Sequence, residues 1–115
     1  MLVDDEPTVR SVLSRALRRE GYQIVDAGDG VEALDILECD MHAPVHLLIT
    51  DLDMPRLGGL DLAKHMRAAN RVQRVIFMTG DTTKAMPLDG RHSTLLQKPF
   101  NLKALASVVH QMLAE

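Results

Sequence analysis

The 115-residue sequence contains no tryptophan, one tyrosine and two phenylalanines, so its core has to be built from aliphatic side chains. A single cysteine, Cys39, excludes an internal disulfide and is typical of a reducing compartment. We interpret Cys39 as a small residue at a helix end. No apolar run reaches the ~18 residues of a membrane span, and no signal peptide follows Met1. These absences favour a cytoplasmic protein without a membrane segment.

A strong charge of either sign is also missing. Thirteen Lys and Arg residues face 16 Asp and Glu residues, and the net charge of −3 gives no electrostatic reason to expect direct nucleic-acid binding. Apolar residues make up 46% of the chain and charged residues 25%, which is typical of a folded chain rather than a disordered one. The length suits a single domain covering residues 1–115.

Strand-like and helix-like segments alternate along the chain. Continuous apolar or β-branched runs predict strands at residues 1–3, 22–27, 45–50, 74–79 and 92–97. Apolar residues at helical spacing follow Pro7, Val31, Gly59 and Asn101, and Asn101 is a suitable N-cap. Such alternation predicts an α/β fold, in which a parallel sheet is covered by helices on both faces.

Two segments depart from this regular alternation. Residues 81–93 contain Pro87 and Gly90 without a sustained apolar stripe, so we expect a fourth helix that is short or absent. The first strand has only Met1 to Val3 before the acids, whereas a strand usually has about five residues. We therefore expect the first strand to be truncated at the N-terminus.

Polar residues follow four of the five predicted strands. In a wound parallel sheet, functional groups gather at the carboxyl ends of the strands. The residues at those ends are Asp4 and Asp5, then Asp51, then Thr79 and Gly80, and finally Lys98 and Pro99. Taken singly, such acids are usually loop residues or helix caps, and a lysine is usually solvated. Their joint placement at successive strand ends favours a site.

The chemistry of this set points to phosphoryl transfer. Clustered carboxylates repel one another unless a cation lies between them, and Mg²⁺ prefers oxygen ligands of this kind. An aspartate can attack phosphorus as a nucleophile, while a metal, a lysine and a hydroxyl neutralise the phosphoryl oxygens. We interpret the set as a Mg²⁺-dependent pocket in which Asp51 accepts a phosphoryl group.

Four segments carry a resemblance to a known family. "LVDDE", "LLITDLDMPRLGG", "VIFMTG" and "LQKPF" resemble the motif blocks of the response-regulator receiver domain of two-component signalling, in the same order along the chain. The resemblance implies a flavodoxin-like, doubly wound sheet in the order 2-1-3-4-5. It also implies that Asp51 is phosphorylated by a histidine kinase or a histidine phosphotransfer protein, and that the protein is a switch rather than an enzyme with a separate substrate.

The resemblance further implies a role for each residue of the site. Asp5 would bind Mg²⁺ directly, Asp4 would bind it largely through water, and the backbone carbonyl of Asp53 would be another ligand. Thr79 would move towards the phosphoryl group. The remaining implied roles are pairing of Lys98 with the phosphoryl group, a cis bond from Lys98 to Pro99, and completion of the phosphoryl cradle by the Gly80 amide.

The sequence departs from the family pattern at Leu95, where the family has an aromatic residue three positions before the lysine. We expect a modified output coupling through Thr79, Leu95 and Pro99; the alternative is that Leu95 only packs. The acidic side chain of Asp53 also leaves two interpretations open. It lies in solvent, or it tunes metal affinity and the lifetime of the phosphoryl group.

Other functions remain as alternatives. "DLDMP" has the D-x-D spacing of haloacid-dehalogenase-type phosphatases, with Asp51 as nucleophile and Asp53 as acid–base, although that nucleophile normally lies near the start of the chain. A phosphorylation-independent docking domain is a third option. The output partner is unknown, a homodimer is one arrangement, and the chain is free-standing or part of a hybrid kinase or longer regulator. We interpret all five histidines as non-catalytic, namely His42, His46, His65, His92 and His110.

Overall fold

The computed structural model describes residues 1–39, 44–80 and 92–114, which contain five strands and four helices. The strands are β1 (Leu2–Val3), β2 (Asp26–Ala27), β3 (Leu47–Asp51), β4 (Arg74–Thr79) and β5 (Ser93–Gln97). The helices are α1 (Pro7–Arg19), α2 (Gly30–Cys39), α3 (Gly59–Ala68) and α4 (Leu102–Leu113). None of these four helices combines the length and the apolar character that a bilayer-spanning helix needs.

The five strands form one parallel sheet in the order β2-β1-β3-β4-β5, which confirms the predicted topology. The order reverses between β1 and β3, the kind of position at which wound sheets bind ligands. Residues 81–93, which follow β4 along the chain, are the segment for which the sequence predicts a short helix or none. Residues 81–91 of this segment lie outside the residues that the structure describes.

Alternation along β4 shows how the sheet divides the core. Val75 and Phe77 pack on one face with the buried residues of α2 and α3. Ile76 and Met78 pack on the opposite face with the buried residues of α1 and α4. Because successive strand residues point to opposite faces, the continuous apolar run of this strand is explained by helices on both sides.

The predicted second strand is shorter than expected. Residues 22–27 have strand-like composition, yet only Asp26 and Ala27 pair, with Leu2 and Val3 of β1. The physical reason is that β1 has just two residues to pair with, so among the backbone groups of residues 22–25 it is the Val25 carbonyl that bonds to β1, accepting from the Leu2 amide at 2.9 Å. A strand is defined by its neighbour as much as by its own residues.

An apolar cavity lies at the amino end of the sheet. Its volume is about 460 Å³. The α-amino group of Met1 donates to the Leu47 carbonyl at 2.8 Å, and burial lowers the pKa of this amine to about 6. The cavity walls include Met1, Ile24, Val25, Val45, Leu47 and Leu113.

Helix ends follow the sequence signals. The Asn101 side chain accepts a hydrogen bond from the Ala104 amide at 2.7 Å, so it caps α4 as predicted. Helix α1 ends at Arg19, and Gly21 follows with a φ of +96°, a left-handed conformation that favours glycine.

Both ends of β5 are fastened to neighbouring elements. At the amino end, the Arg67 guanidinium on α3 donates to the His92 carbonyl at 2.7 Å and to the Ser93 hydroxyl at 2.8 Å. At the carboxyl end, the Lys98 amide donates to the Thr79 carbonyl at 2.7 Å. These contacts fix the strand that places Lys98 at the carboxyl edge of the sheet.

Candidate functional site

The carboxyl ends of β1, β3, β4 and β5 bring the polar residues to one edge. Asp4 follows β1, and its amide continues the sheet by donating to the Ala27 carbonyl at 3.2 Å. Asp51 ends β3, Thr79 ends β4, and Lys98 follows β5. Because the strands are parallel and in register, side chains from distant parts of the sequence meet at this edge.

Three carboxylates form a compact acid cluster, consisting of Asp4, Asp5 and Asp51. One oxygen of each lies within 4.8 Å of the others. Asp4 is fully buried, the Asp51 side chain is 13% exposed, and Asp5 is exposed to solvent. The cluster is thus open on the Asp5 side and closed beneath Asp4.

Lys98 is the cation that faces the acid cluster in the described structure. Its amine lies 3.3 Å from an Asp4 oxygen and 3.3 Å from an Asp51 oxygen. Burial lowers the pKa of Lys98, but the Asp4 and Asp51 carboxylates raise it by more, so the net shift is upward. The side chain therefore stays an ammonium, and its bond to Pro99 is cis, as predicted.

Asp51 is held in an unfavourable ionised state. Burial raises the pKa of its carboxyl group most, and the nearby Asp4 carboxylate adds to the increase. The Lys98 ammonium and the backbone amide of Asp53 lower this pKa without cancelling the increase. A carboxylate in this position gains from any further cation placed beside it.

Thr79 and Gly80 occupy the predicted positions at the end of β4. Thr79 is 1% exposed, and its backbone carbonyl accepts from the Lys98 amide. Gly80 is exposed, and a Cβ built there meets no heavy atom within 4 Å. The end of β4 therefore has a buried hydroxyl-bearing residue followed by an exposed glycine.

The loop after β3 turns sharply back over Asp51. Gly59, the first residue of α3, lies so close that a Cβ there would overlap the backbone oxygen of Asp51. Its amide donates to the Leu52 carbonyl at 3.1 Å. The second glycine of "LGG" is required because α3 begins in direct contact with the strand end.

A surface ion pair fastens the same loop to α2. Arg56, with a φ of +68°, places a guanidinium nitrogen 2.5 Å from an Asp29 oxygen. Asp29 also accepts a hydrogen bond from the Glu32 amide at 2.8 Å, at the start of α2. This hydrogen bond is the largest cause that lowers the pKa of Asp29, and the hydrogen bond from Arg56 is the second. The loop that follows Asp51 is thus connected to the start of a neighbouring helix.

Leu95 and Asp53 are the two positions for which the sequence leaves two interpretations open. Leu95 is partly buried, pairs in register with Phe77, and packs against the core on the α2 and α3 face. Asp53 is exposed, and its amide contacts the Asp51 carboxylate. The packing of Leu95 is compatible with either interpretation of its role, and the exposure of Asp53 leaves both interpretations of its side chain open.

The donor set fits a hard divalent cation. Three carboxylates converge from two strand ends, and burial, more than the nearby Asp4 carboxylate, keeps the pKa of Asp51 raised despite Lys98. Mg²⁺ takes one or two carboxylates directly and keeps several waters, which the exposed side of Asp5 can accommodate. Asp5 and Asp51 are the residues that would hold such an ion, with Asp4 behind them.

Sequence reasoning missed two contacts of this edge, those of Arg10 and of Arg56. The Arg10 guanidinium donates to the Asp4 backbone carbonyl at 2.8 Å. The sequence signal for the Arg10 contact was the helix start at Pro7, because Arg10 is the fourth residue of α1 and lies about one turn into the helix that follows β1. None of the described histidines belongs to the acid cluster, and His42 lies outside the described residues.

Comparison with known proteins identifies a matching family. The family model for the response regulator receiver domain matches residues 1–110. The sensor kinase CckA of Brucella abortus is 37% identical over 117 residues, which cover 98% of this chain and 12% of that protein. The chemotaxis protein CheY1 of Helicobacter pylori is 37% identical over 111 residues, covering 91% of this chain and 88% of that protein.

Solved structures agree with this match. The receiver domain of the hybrid histidine kinase CckA has a TM-score of 0.82 and 39% identity, covering 97% of this chain and 95% of that chain. The response regulator TrrA of Thermotoga maritima, solved in complex with Mg(2+)-BeF, has a TM-score of 0.79 and 30% identity. It covers 96% of this chain and 95% of that chain. The likeness therefore extends over nearly the whole chain.

Proposed function

Because the chain belongs to the response regulator receiver domain family, we propose that it is a signalling switch that accepts a phosphoryl group on Asp51. One observation carries this proposal: the Asp4, Asp5 and Asp51 carboxylates converge, and the Lys98 ammonium lies 3.3 Å from two of them. Crowded acids beside a cation at the edge of a sheet are better explained by phosphoryl transfer than by a purely structural role of these residues.

Each residue of the edge has a part in the transfer. An oxygen of Asp51 forms a bond to phosphorus as the N–P bond of a donor phosphohistidine breaks, and the donor ring, which carries a proton on its other nitrogen, leaves as neutral imidazole. Lys98 neutralises one phosphoryl oxygen and already lies beside the Asp51 oxygens. Lys98 also keeps the fully buried Asp4 paired in the unphosphorylated state.

The proposal includes Mg²⁺ as the cofactor. Asp5 and Asp51 would hold it directly, Asp4 through water, and the Asp53 carbonyl as a further ligand. The ion supplies charge neutralisation for the phosphoryl oxygens. The acid cluster and the related TrrA structure, which was solved with Mg(2+)-BeF, support this assignment.

The switch itself would involve residues at the ends of β4 and β5. In this proposal Thr79 moves towards the phosphoryl group and the Gly80 amide completes the cradle. Leu95 lacks a hydrogen-bonding group and packs against the core, so the movement of Thr79 reaches the surface through backbone shifts around Leu95 and Pro99. Replacement of Leu95 by Tyr should then change the dependence of partner binding on phosphorylation.

The donor in this proposal is a histidine kinase or a histidine phosphotransfer protein in the cytoplasm. Similarity to the sensor kinase CckA and to CheY1 supports a place in two-component signalling. The output surface would meet a protein partner or a second copy of the chain. Asp53, exposed beside the acceptor, would tune the phosphoryl lifetime, which a comparison of dephosphorylation in wild type and Asp53→Asn measures.

Phosphorylation with acetyl phosphate tests the function directly. The wild-type chain should gain one phosphoryl group in intact-mass spectra when Mg²⁺ is present, and should lose this labelling with EDTA. Asp51→Asn should abolish the labelling, and Asp61→Asn, which changes an exposed acid on α3, should keep it. Labelling that persists in Asp51→Asn would contradict the proposal. Steady turnover of a phosphate ester would instead indicate a phosphatase, and an unlabelled chain that still binds a partner would indicate a docking domain.

A further inference from the structure

Arg10 is the charged residue of α1 that reaches the edge of the sheet beside the acid cluster. Its guanidinium donates to the backbone carbonyl of Asp4 at 2.8 Å, and its Nε lies 3.7 Å from a carboxylate oxygen of Asp26 on β2. The side chain is 25% exposed, so the contact with Asp4 is partly shielded from water. Arg10 thus contacts the strand end rather than the carboxylates of the cluster.

The other polar groups of Asp4 are also occupied. Its amide donates to the Ala27 carbonyl, and its two carboxylate oxygens accept from the Glu6 amide at 2.9 Å and from Lys98 at 3.3 Å. Arg10 provides the partner of the remaining group, the carbonyl. Every polar atom of this fully buried residue is therefore held in place.

The carbonyl that Arg10 holds belongs to the peptide joining Asp4 to Asp5. Within the described residues, no hydrogen bond or ion pair holds the exposed Asp5 carboxylate. The direction of the Asp5 side chain consequently depends on the orientation of this peptide. A shift of the Asp4 carbonyl would turn the Asp5 carboxylate away from Asp51.

We propose that Arg10 is a positioning residue for the divalent-cation site, acting through the Asp4–Asp5 peptide. The inference deepens the proposed function and rests on it. Groups just outside a metal's ligand set orient the ligands and commonly change affinity by a factor of ten or more. The sign of the effect separates positioning from charge, because loss of a nearby positive charge by itself would strengthen cation binding.

Mg²⁺ titration of metal-free protein, followed by amide NMR, tests the inference. Arg10→Met removes the hydrogen bond and should weaken Mg²⁺ binding by about tenfold. Arg10→Lys keeps a donor and the charge and should recover part of the affinity. Arg18→Met is the matched control, because Arg18 lies on the same helix and also donates to a backbone carbonyl, that of Ile24 at 3.0 Å. Its Mg²⁺ affinity should equal that of the wild type.

A second variant disturbs Arg10 without replacing it. A Cβ at Gly28 would lie 3.1 Å from a guanidinium nitrogen of Arg10, so Gly28→Ala should displace the side chain slightly and weaken binding by less than Arg10→Met. In the absence of metal, amide exchange at Asp5 and Glu6 should be faster in both variants than in the wild type. This readout does not depend on a bound ion.

The outcomes separate this inference from the proposed function. Mg²⁺ affinity in Arg10→Met equal to or tighter than in the wild type, with unchanged exchange at Asp5, would overturn the inference alone. If Arg10→Met fails to fold, Gly28→Ala decides by the same criteria. A wild-type chain that binds Mg²⁺ no better than Asp5→Asn would overturn the proposed function, and the inference with it.

Discussion

The two ends of the sheet differ in how they are built. At the carboxyl end, a buried acid has a partner for each polar atom, and charges from three strands meet within a few ångströms. At the amino end, apolar walls surround a cavity of about 460 Å³ and one backbone amine is buried. The first end is held by directional polar contacts and the second by non-directional apolar contacts.

This difference determines which structural defects, an unpaired charge or a packing gap, each end tolerates. A buried charge without a partner costs several kcal/mol, so the acid cluster requires nearly complete pairing. Apolar surface loses contact energy gradually as a gap opens, so a cavity can persist beside the same sheet. The strictest requirement on side-chain positions therefore lies at the carboxyl end of the sheet.

The largest expected effect comes from removing the ammonium at the carboxyl end. Lys98→Met leaves the buried Asp4 without its cation and should lower the free energy of unfolding by about 3 kcal/mol without metal. Urea unfolding with and without Mg²⁺ measures this change, and Mg²⁺ should restore part of the stability. Lys64→Met, at an exposed position on α3, is the control and should have little effect. Equal losses in the two variants would contradict the comparison.

The next effect tests how tightly α3 contacts the end of β3. In Gly59→Ala the new Cβ overlaps the Asp51 backbone oxygen, and unfolding free energy should fall by roughly 2 kcal/mol. Gly80→Ala, at the same edge but facing open space, should stay within about 0.5 kcal/mol of the wild type. Thermal and urea unfolding of the pair measure the difference. A stable Gly59→Ala variant would show that the loop has more room than the structure indicates.

The buried amine at the amino end should make the free energy of unfolding depend on pH. Burial lowers the pKa of the Met1 amine to about 6 from 8.0, so between these values the unfolded chain binds more protons than the native one. Stability of this 115-residue chain should therefore rise from pH 6 to pH 8, by roughly 1.5 kcal/mol after allowing for residual solvation. Urea unfolding across this range measures the slope. N-terminal acetylation removes the titrating group and should flatten the profile, and an unchanged slope would assign it elsewhere.

The smallest effect concerns Asp51 itself. Burial and Asp4 raise the pKa of Asp51, so its ionised form is unfavourable in the native state. Asp51→Asn should therefore raise the free energy of unfolding by up to about 1 kcal/mol in EDTA. Mg²⁺ should stabilise the wild type more than this variant, because the ion favours the carboxylate. A variant less stable than the wild type in EDTA would indicate that Lys98 outweighs the burial of Asp51.

The sequence was sufficient to predict the features that depend on residue type at strand ends. The bounds of β4 and the cap at Asn101 agree with the prediction, and Asp4, Asp5, Asp51 and Lys98 come together as expected. Parallel strands bring their carboxyl ends to one edge whatever the details of packing, so the order of elements determines which residues meet there.

Features that depend on a distant partner could not be predicted in this way. The shortening of β2 depends on how many residues β1 offers, which composition within residues 22–27 does not reveal. Arg10 contacts a backbone carbonyl, and every residue has one, so no residue type marks the partner. Arg56 and Asp29 are 27 positions apart, and their ion pair depends on the path of the loop after β3.

The contacts at both ends of β5 have a consequence for how such a protein diversifies. Arg67 sets where the chain re-enters the sheet at His92, and the Lys98 amide bound to Thr79 sets the exit of β4. The lysine that faces the acids is therefore placed by strand pairing and by one arginine on another helix. Substitutions between Gly80 and His92 should therefore accumulate without moving this lysine away from the acids.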